Sequence, residues 1–283
     1  MTSEGSPPAP DRGDGAGART REVPLDLDTS VAHVARVYDY WLGGKDNFAA
    51  DRAAGEQAIQ AYPDIVYSVR ANRAFLARTT GYLVTQAGIR QFLDIGTGMP
   101  TNNNIHEVAQ SIAPESRIVY VDHDPIVLTH ARALLTSAPE GATDYLEADL
   151  REPGKILAEA ARTLDFSRPV AIMLISILHL ILDRDDPYDL VSQLVNAVVP
   201  GSYVVISHAA SDIDTGAMIS MANRLNELMA QQAVPRTHRE VAAFFAGLDL
   251  LEPGLVRIPE WRPASVSDSA VRAQMWGAVA RKP

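Results

Sequence analysis

The sequence contains no cysteine. Disulfides, cysteine-ligated zinc and thiol nucleophiles are thereby excluded. Nor does any uninterrupted apolar run reach the roughly 20 residues of a membrane-spanning helix. The first residues, Met1-Thr2-Ser3-Glu4-Gly5-Ser6, hold no apolar signal core, so a soluble cytoplasmic protein is the expectation. Basic residues are in deficit, with 25 Lys and Arg against 35 Asp and Glu, a formal charge of −10. Such a chain repels phosphates, which argues against nucleic acid and anionic membranes as partners and weakly favours a small-molecule substrate. No internal repeat and no second linker are visible.

What is present is ordinary for a globular protein. The 283 residues are 47% hydrophobic and 21% charged, enough to bury a sizeable core. Residues 1–25 are rich in Pro, Gly and charge and are expected to be a disordered tail. Residues 26–283 then read as one domain, with an N-terminal helical lid over 26–88 and a core over 89–283.

The chain is organised around Gln91 to Asp124. An apolar strand runs into an acid–glycine turn, Gln91-Phe92-Leu93-Asp94-Ile95-Gly96-Thr97-Gly98. A helix is predicted from Asn102 to Ile112, and the strand Arg117–Val121 ends on Asp122. This is the layout of a nucleotide-binding βαβ unit. The glycines allow close backbone approach. Free N–H groups at a helix start attract an anion. An acid closing the second strand can accept both hydroxyls of a ribose. A dinucleotide fingerprint would place a third glycine where Thr101 stands, after the stiffening Pro100, so NAD or FAD is disfavoured.

The Asp94-Ile95-Gly96-Thr97-Gly98 run resembles the first motif of class I S-adenosylmethionine-dependent methyltransferases. A closer resemblance joins it to Arg36–Phe48, Ala71-Asn72-Arg73-Ala74-Phe75 and Tyr120-Val121-Asp122-His123-Asp124-Pro125. Together they are similar to a bacterial family of S-adenosylmethionine-dependent methyltransferases first catalogued as a domain of unknown function. The resemblance covers about residue 28 to the C-terminus. It implies the class I fold: an α/β, Rossmann-like, seven-stranded and mostly parallel sheet, helices on both faces, and an antiparallel last hairpin. Extra N-terminal helices would precede it. It also implies the cofactor, S-adenosylmethionine, but no settled acceptor and no catalytic residues. In class I enzymes an acid after the third strand bonds the adenine amino group and the next backbone faces the ring. Asp149 and Leu150, after the strand Thr143–Glu147, match those positions. Asp149 could equally cap the helix near Pro153. His123 either flanks the adenine or is a solvated loop histidine.

The remaining elements follow from pattern. Apolar residues at helical spacing predict helices over 31–42, 51–62 and 63–87. Tyr38, Asp39 or Asn47 would face the pocket if Arg36–Phe48 forms a lid. Pro169–Ile175 is nearly all apolar, as a central parallel strand requires, and Ser176 follows it at the carboxyl end where ligands bind. His179 and His208, the latter closing the strand Ser202–His208, are candidate general bases. The alternative for each is a hydrogen-bonded structural histidine. Helices are expected over 186–198 and 212–232, with Met218 and Met221 as packing residues, and over 235–247. A helix exit leading into a strand over 248–258, and a strand over 272–280, would close the sheet, with Trp261 between them bordering the acceptor. The spacing of His179, Asp183 and His208 specifies no metal site. The leading function is methyl transfer to an oxygen or nitrogen of a small molecule. A cofactor-binding regulatory protein without turnover is the alternative.

Overall fold

The computed structural model describes residues 29–134, 136–229 and 231–283; the expected N-terminal tail over 1–25 lies outside them. Three helices come first: α1 (Val34–Leu42), α2 (Ala49–Ala61) and α3 (Ile65–Thr85). An alternating segment follows: β1 (Gln91–Ile95), α4 (Ile105–Ile112), β2 (Arg117–Asp122), α5 (Pro125–Leu134), β3 (Ala142–Glu147), α6 (Pro153–Ala160), β4 (Ala171–Ile175), α7 (Pro187–Asn196) and β5 (Tyr203–Ala209). The chain ends with α8 (Thr215–Leu228), α9 (His238–Ala243), β6 (Asp249–Leu250), β7 (Val256–Arg257), α10 (Val266–Ser269) and β8 (Met275–Arg281).

The sheet runs β3-β2-β1-β4-β5-β8-β6, and β7 also pairs with β8. The pairs among β1 to β5 are parallel, and every pair made by β8 is antiparallel. The predicted parallel sheet with an antiparallel end is therefore present. Its strand count differs. The stretch 248–258, expected as a helix exit leading into one strand, holds two short strands, because the chain turns where Gly254 N–H bonds the Leu251 carbonyl at 2.8 Å. Eight strands result among the described residues. Helical starts also shift, α1 from the expected 31 to Val34 among them. α4 begins three residues late, after Asn103 takes a positive φ of 60°. α8 begins at Thr215 because the Asp214 side chain caps it by accepting from Ala217 N–H.

Side chains on successive strand residues point to opposite faces, so β1 feeds two cores. Leu93 and Ile95 pack with Val119, Ile156, Leu194 and Phe244 on one face. Phe92 packs with Phe75, Ile105 and Ile118 on the other. Trp261, expected beside the acceptor, is instead fully buried in this second core. It meets Phe75 and Tyr82 edge-on, each at 5.8 Å between centroids. Its indole is a packing element, not a pocket wall.

A third cluster joins α1, α2, the start of α3 and α8. One buried carboxylate ties it together. Asp51 accepts from His33 N–H at 2.9 Å, Arg36 Nε–H at 2.8 Å and Phe48 N–H at 2.8 Å. Asp39 plays a similar local part, accepting from Asp46 N–H and the Asn47 amide at 3.0 and 2.8 Å. A Cβ on Gly44 would lie 1.9 Å from its Oδ1, so only glycine admits this turn. Asp39 and Asn47 thus knit the loop after α1, and of the three residues expected at the pocket Tyr38 alone lines the two cavities described below.

Candidate functional site

The order of the strands sets the site. From β1 the chain proceeds outward to β2 and β3, then returns to β4 beside β1. Ligands bind beyond the carboxyl ends of strands at such a reversal. Register levels those ends: Ile95 lies opposite Val121, and Ile175 opposite Ser207. The turn after β1 therefore meets Asp122 after β2 and Ser176 after β4.

A cleft opens at this point. It is lined by Asp94, Gly96, Thr97, Gly98, Asp122, His123 and Ser176, all predicted from sequence. Gly96 and Gly98 take φ of +78° and +66°, conformations that L side chains rarely adopt. A Cβ at Gly96 would also stand 2.5 Å from Ile177 Cγ1. Asp122 fixes the turn: one oxygen accepts from Gly98 N–H at 2.9 Å, the other from Asp124 N–H at 3.0 Å. Each carboxylate oxygen has two acceptor positions, so both retain one for a ligand. His123 stands half exposed at the rim, its Nδ1 3.6 Å from Asp122 Oδ1.

Asp149 and Leu150 are not brought into the cleft lining. Asp149 Oδ1 accepts from Arg151 N–H and Nε–H at 2.9 and 3.1 Å. Leu150 is packed in the first core. The predicted anion site at the start of α4 is already filled. Glu107 accepts from Asn104 N–H at 2.8 Å, and the Tyr120 hydroxyl accepts from His106 N–H at 2.9 Å. An acid in the first turn repels phosphate, whereas a diol and an amino-acid group need no such cradle.

The N-terminal helices supply what sequence reasoning missed. Arg73 of α3 lines the cleft. Its NH2 group bonds the Asn102 and Asn103 carbonyls at 3.1 and 3.2 Å, while its buried Nε–H has no partner. Thr101 Oγ1, also in the lining, is likewise buried without a partner. Two such orphans are costly unless a ligand engages them. The negative end of an amino acid fits Arg73, and its positive end fits Asp94. His33 also reaches the cleft, with Nδ1 3.2 Å from Asp124 Oδ2. Nothing in the local spacing of Arg73 or His33 marks them, because both come from elements preceding the βαβ unit.

Burial, opposed by the Arg73 charge, pushes the Asp94 carboxyl up to about 7. Its protonated form is favoured in the fold, so its contribution to stability is present below its ordinary pKa and is lost as pH rises through about 7. A cation bound beside it restores ionisation and expels a proton. Affinity for a cationic ligand should therefore rise from pH 6 toward 8, by up to about tenfold per unit while the carboxyl titrates. Calorimetry at pH 6.0 in two buffers of different ionisation enthalpy should register proton release, and Asp94→Asn should abolish it; equal heats in both buffers would contradict the assignment.

A second cavity adjoins the cleft. Val34, Tyr38, Ser176 and Leu180 line both. A chain of hydrogen bonds holds this shared wall. Ser176 N–H bonds Ser207 Oγ at 3.0 Å, Ser207 Oγ–H bonds Asn72 Oδ1 at 2.6 Å, and Asn72 Nδ2–H bonds the Tyr38 hydroxyl at 3.0 Å. Ser176 itself has φ of 59°. A non-glycine residue persists there only where its surroundings hold it. Met218, Met221 and Met229 line the second cavity as well as packing in the third cluster, so they are both packing and surface for a ligand.

The two candidate bases separate. His179 lines the second cavity, with a buried and unpartnered Nδ1. Burial, then the Arg236 charge, pulls it down to about 4, so its imidazole is neutral at physiological pH. His208 is fully buried and lines neither cavity. Its Nδ1 lies 2.8 Å from the Ala209 carbonyl and its Nε2 3.0 Å from Arg236 Nη1. With one nitrogen donating and the other accepting, His208 is structural, and its candidacy as a base is corrected. It helps hold Arg236, which also bonds the Leu178 and Ile181 carbonyls, each at 2.9 Å, and Asp183 at 2.6 Å. Arg236 thereby fixes the loop carrying His179. Among the described residues no group of three potential ligands could hold a metal ion, and no helix is long and apolar enough to cross a membrane.

Comparison with known proteins identifies the family. The family model described as S-adenosyl methyltransferase matches residues 20–283. A DUF574 family protein from Streptomyces avermitilis is 46% identical, with a TM-score of 0.87 over 90% of this chain and 99% of its own. A proposed methyltransferase from Thermobifida fusca is 40% identical, with a TM-score of 0.83 over 93% and 99%. No curated protein matches.

Proposed function

Because the chain belongs to the S-adenosyl methyltransferase family, we propose that it passes the methyl group of S-adenosylmethionine to an oxygen or nitrogen of a small molecule held in the second cavity. The observation that carries this reading is the shared wall. Tyr38, Ser176 and Leu180 border both cavities, so a cofactor in one and an acceptor in the other meet there. The net charge of −10 favours a small acceptor over nucleic acid or a membrane surface.

The residues fit the cofactor. Asp122 would take the ribose hydroxyls on its two remaining acceptor positions. Arg73 would take the carboxylate and Asp94 the ammonium group. Gly96, Thr97 and Gly98 would let the backbone approach, and His123 would border the rim. When bound, S-adenosylmethionine supplies an electrophilic methyl on a positively charged sulfur. The protein's own part is to orient and to exclude water. Well-oriented reactants can lower a barrier by roughly 7–11 kcal/mol at best, so no covalent chemistry by the chain is required.

Calorimetric titration of the purified chain should show binding of S-adenosylmethionine and S-adenosylhomocysteine but not of NAD. Binding of NAD alone would overturn the reading. In cell extract, S-adenosylhomocysteine should accumulate. Tight cofactor binding with no product in any extract would favour a regulatory protein without turnover.

A further inference from the structure

The second cavity is unusual in what it lacks. Among the described residues lining it, none is Asp, Glu, Lys or Arg. Its walls are Trp41, Ile65, Val69 and a run of methionines. A charged acceptor would be desolvated there without a counter-charge, which costs several kcal/mol. A flat apolar molecule would be received well, because methionine side chains adapt in shape and contact aromatic rings favourably.

Among the polar side-chain atoms of its lining, two are buried without partners. His179 Nδ1 is one and Gln274 Oε1 the other. Gln274 is only 8% exposed, and both residues line the cavity. Its neighbours are satisfied: the Tyr62 hydroxyl lies 3.3 Å from Ser68 Oγ, and Gln274 N–H bonds that oxygen at 3.2 Å. Buried polar atoms are usually paired, so two unpaired ones on a cavity wall are open to a ligand's hydrogen bonds. An amide oxygen and a neutral imidazole nitrogen can both accept.

Resting on the cofactor reading above, we propose that the acceptor is a neutral, aromatic molecule bearing a hydroxyl group, which donates its hydrogen bond to the His179 imidazole. The second orphan, Gln274 Oε1, is placed for a further donor on the same molecule. In the transfer the acceptor O–H bond breaks and its proton passes to the imidazole. The oxygen gains the methyl carbon, whose bond to sulfur breaks with its electron pair remaining on sulfur. One positive charge thereby moves from the sulfonium to the imidazole, which then loses its proton to water. Burial and the Arg236 guanidinium disfavour a lasting imidazolium.

The test uses three ligands of one shape on the full chain: 4-ethylphenol, ethylbenzene and 4-ethylbenzoate, each titrated calorimetrically with S-adenosylhomocysteine present. 4-Ethylphenol should bind about tenfold more tightly than ethylbenzene, the worth of one buried hydrogen bond, and the benzoate should not bind. His179→Ala should erase the preference for the phenol, and Met221→Arg should abolish binding of both uncharged ligands. Both variants should keep the affinity for S-adenosylhomocysteine, which shows that they are folded. Preferred binding of the benzoate, equal binding of phenol and ethylbenzene, or no binding of any while S-adenosylhomocysteine binds would overturn the proposal. Loss of S-adenosylhomocysteine binding by the unaltered chain, with the phenol still bound, would instead overturn the cofactor reading.

Discussion

Replacing Asp122 by alanine should weaken S-adenosylmethionine binding by two to four orders of magnitude. Two effects combine. The carboxylate would lose its hydrogen bonds to the ribose hydroxyls, each charge-assisted and worth roughly 1.5–3 kcal/mol. It would also release Gly98 N–H and Asp124 N–H, which it holds at 2.9 and 3.0 Å. The glycine turn would then lose the anchor that fixes its positive-φ conformation. Asp122→Asn separates the two effects. An amide retains one acceptor and much of the shape, so it should recover part of the turn but little of the affinity. Calorimetry on the wild type and both variants reads the result. An unchanged dissociation constant for Asp122→Ala would remove this residue from the cofactor site.

The second large effect concerns stability. Asp51→Ala should lower the unfolding free energy by about 3–5 kcal/mol, the typical cost of removing one partner of a buried ion pair. Arg36 is 3% exposed and would be left with a buried, uncompensated charge. His33 N–H and Phe48 N–H would lose their acceptor at the same time. Out of a total of roughly 5–15 kcal/mol this is a large fraction. Urea denaturation measures it. The same variant should weaken cofactor binding, because His33, Val34, Ala35 and Tyr38 reach the cleft from the segment that Asp51 holds. Asp51→Asn should be less severe, since an amide oxygen still accepts from two of the three donors. A loss below about 1 kcal/mol for Asp51→Ala would show that the helices hold together without this group.

These two acids differ in how visible they were beforehand. Asp122 was legible, because it closes a strand whose apolar run and following helix are local patterns. Asp94, Gly96 and Gly98 were legible for the same reason: a strand and its turn are written in consecutive residues. The parallel sheet followed from strands alternating with helices, and its antiparallel end from the closing pair of strands. Asp51 was not legible, since its partners lie up to 18 positions away and its helix looks polar by composition.

What the sequence alone determined is the βαβ unit and the carboxyl-end location of the site, set by short-range periodicity and turn chemistry, while the cofactor class came from the family resemblance of its motifs. Only the tertiary structure decided which polar side chains serve it. His179 follows β4 and His208 is the penultimate residue of β5, yet packing leaves one with an orphan nitrogen in a cavity and gives the other two partners. Trp261 went to the core, Asp149 to Arg151, and Arg73 to the cleft. The physical reason is common to all five: a side chain's role depends on which distant backbone and which charges surround it, and those neighbours are assigned by the packing of helices against the sheet, not by adjacency in the chain.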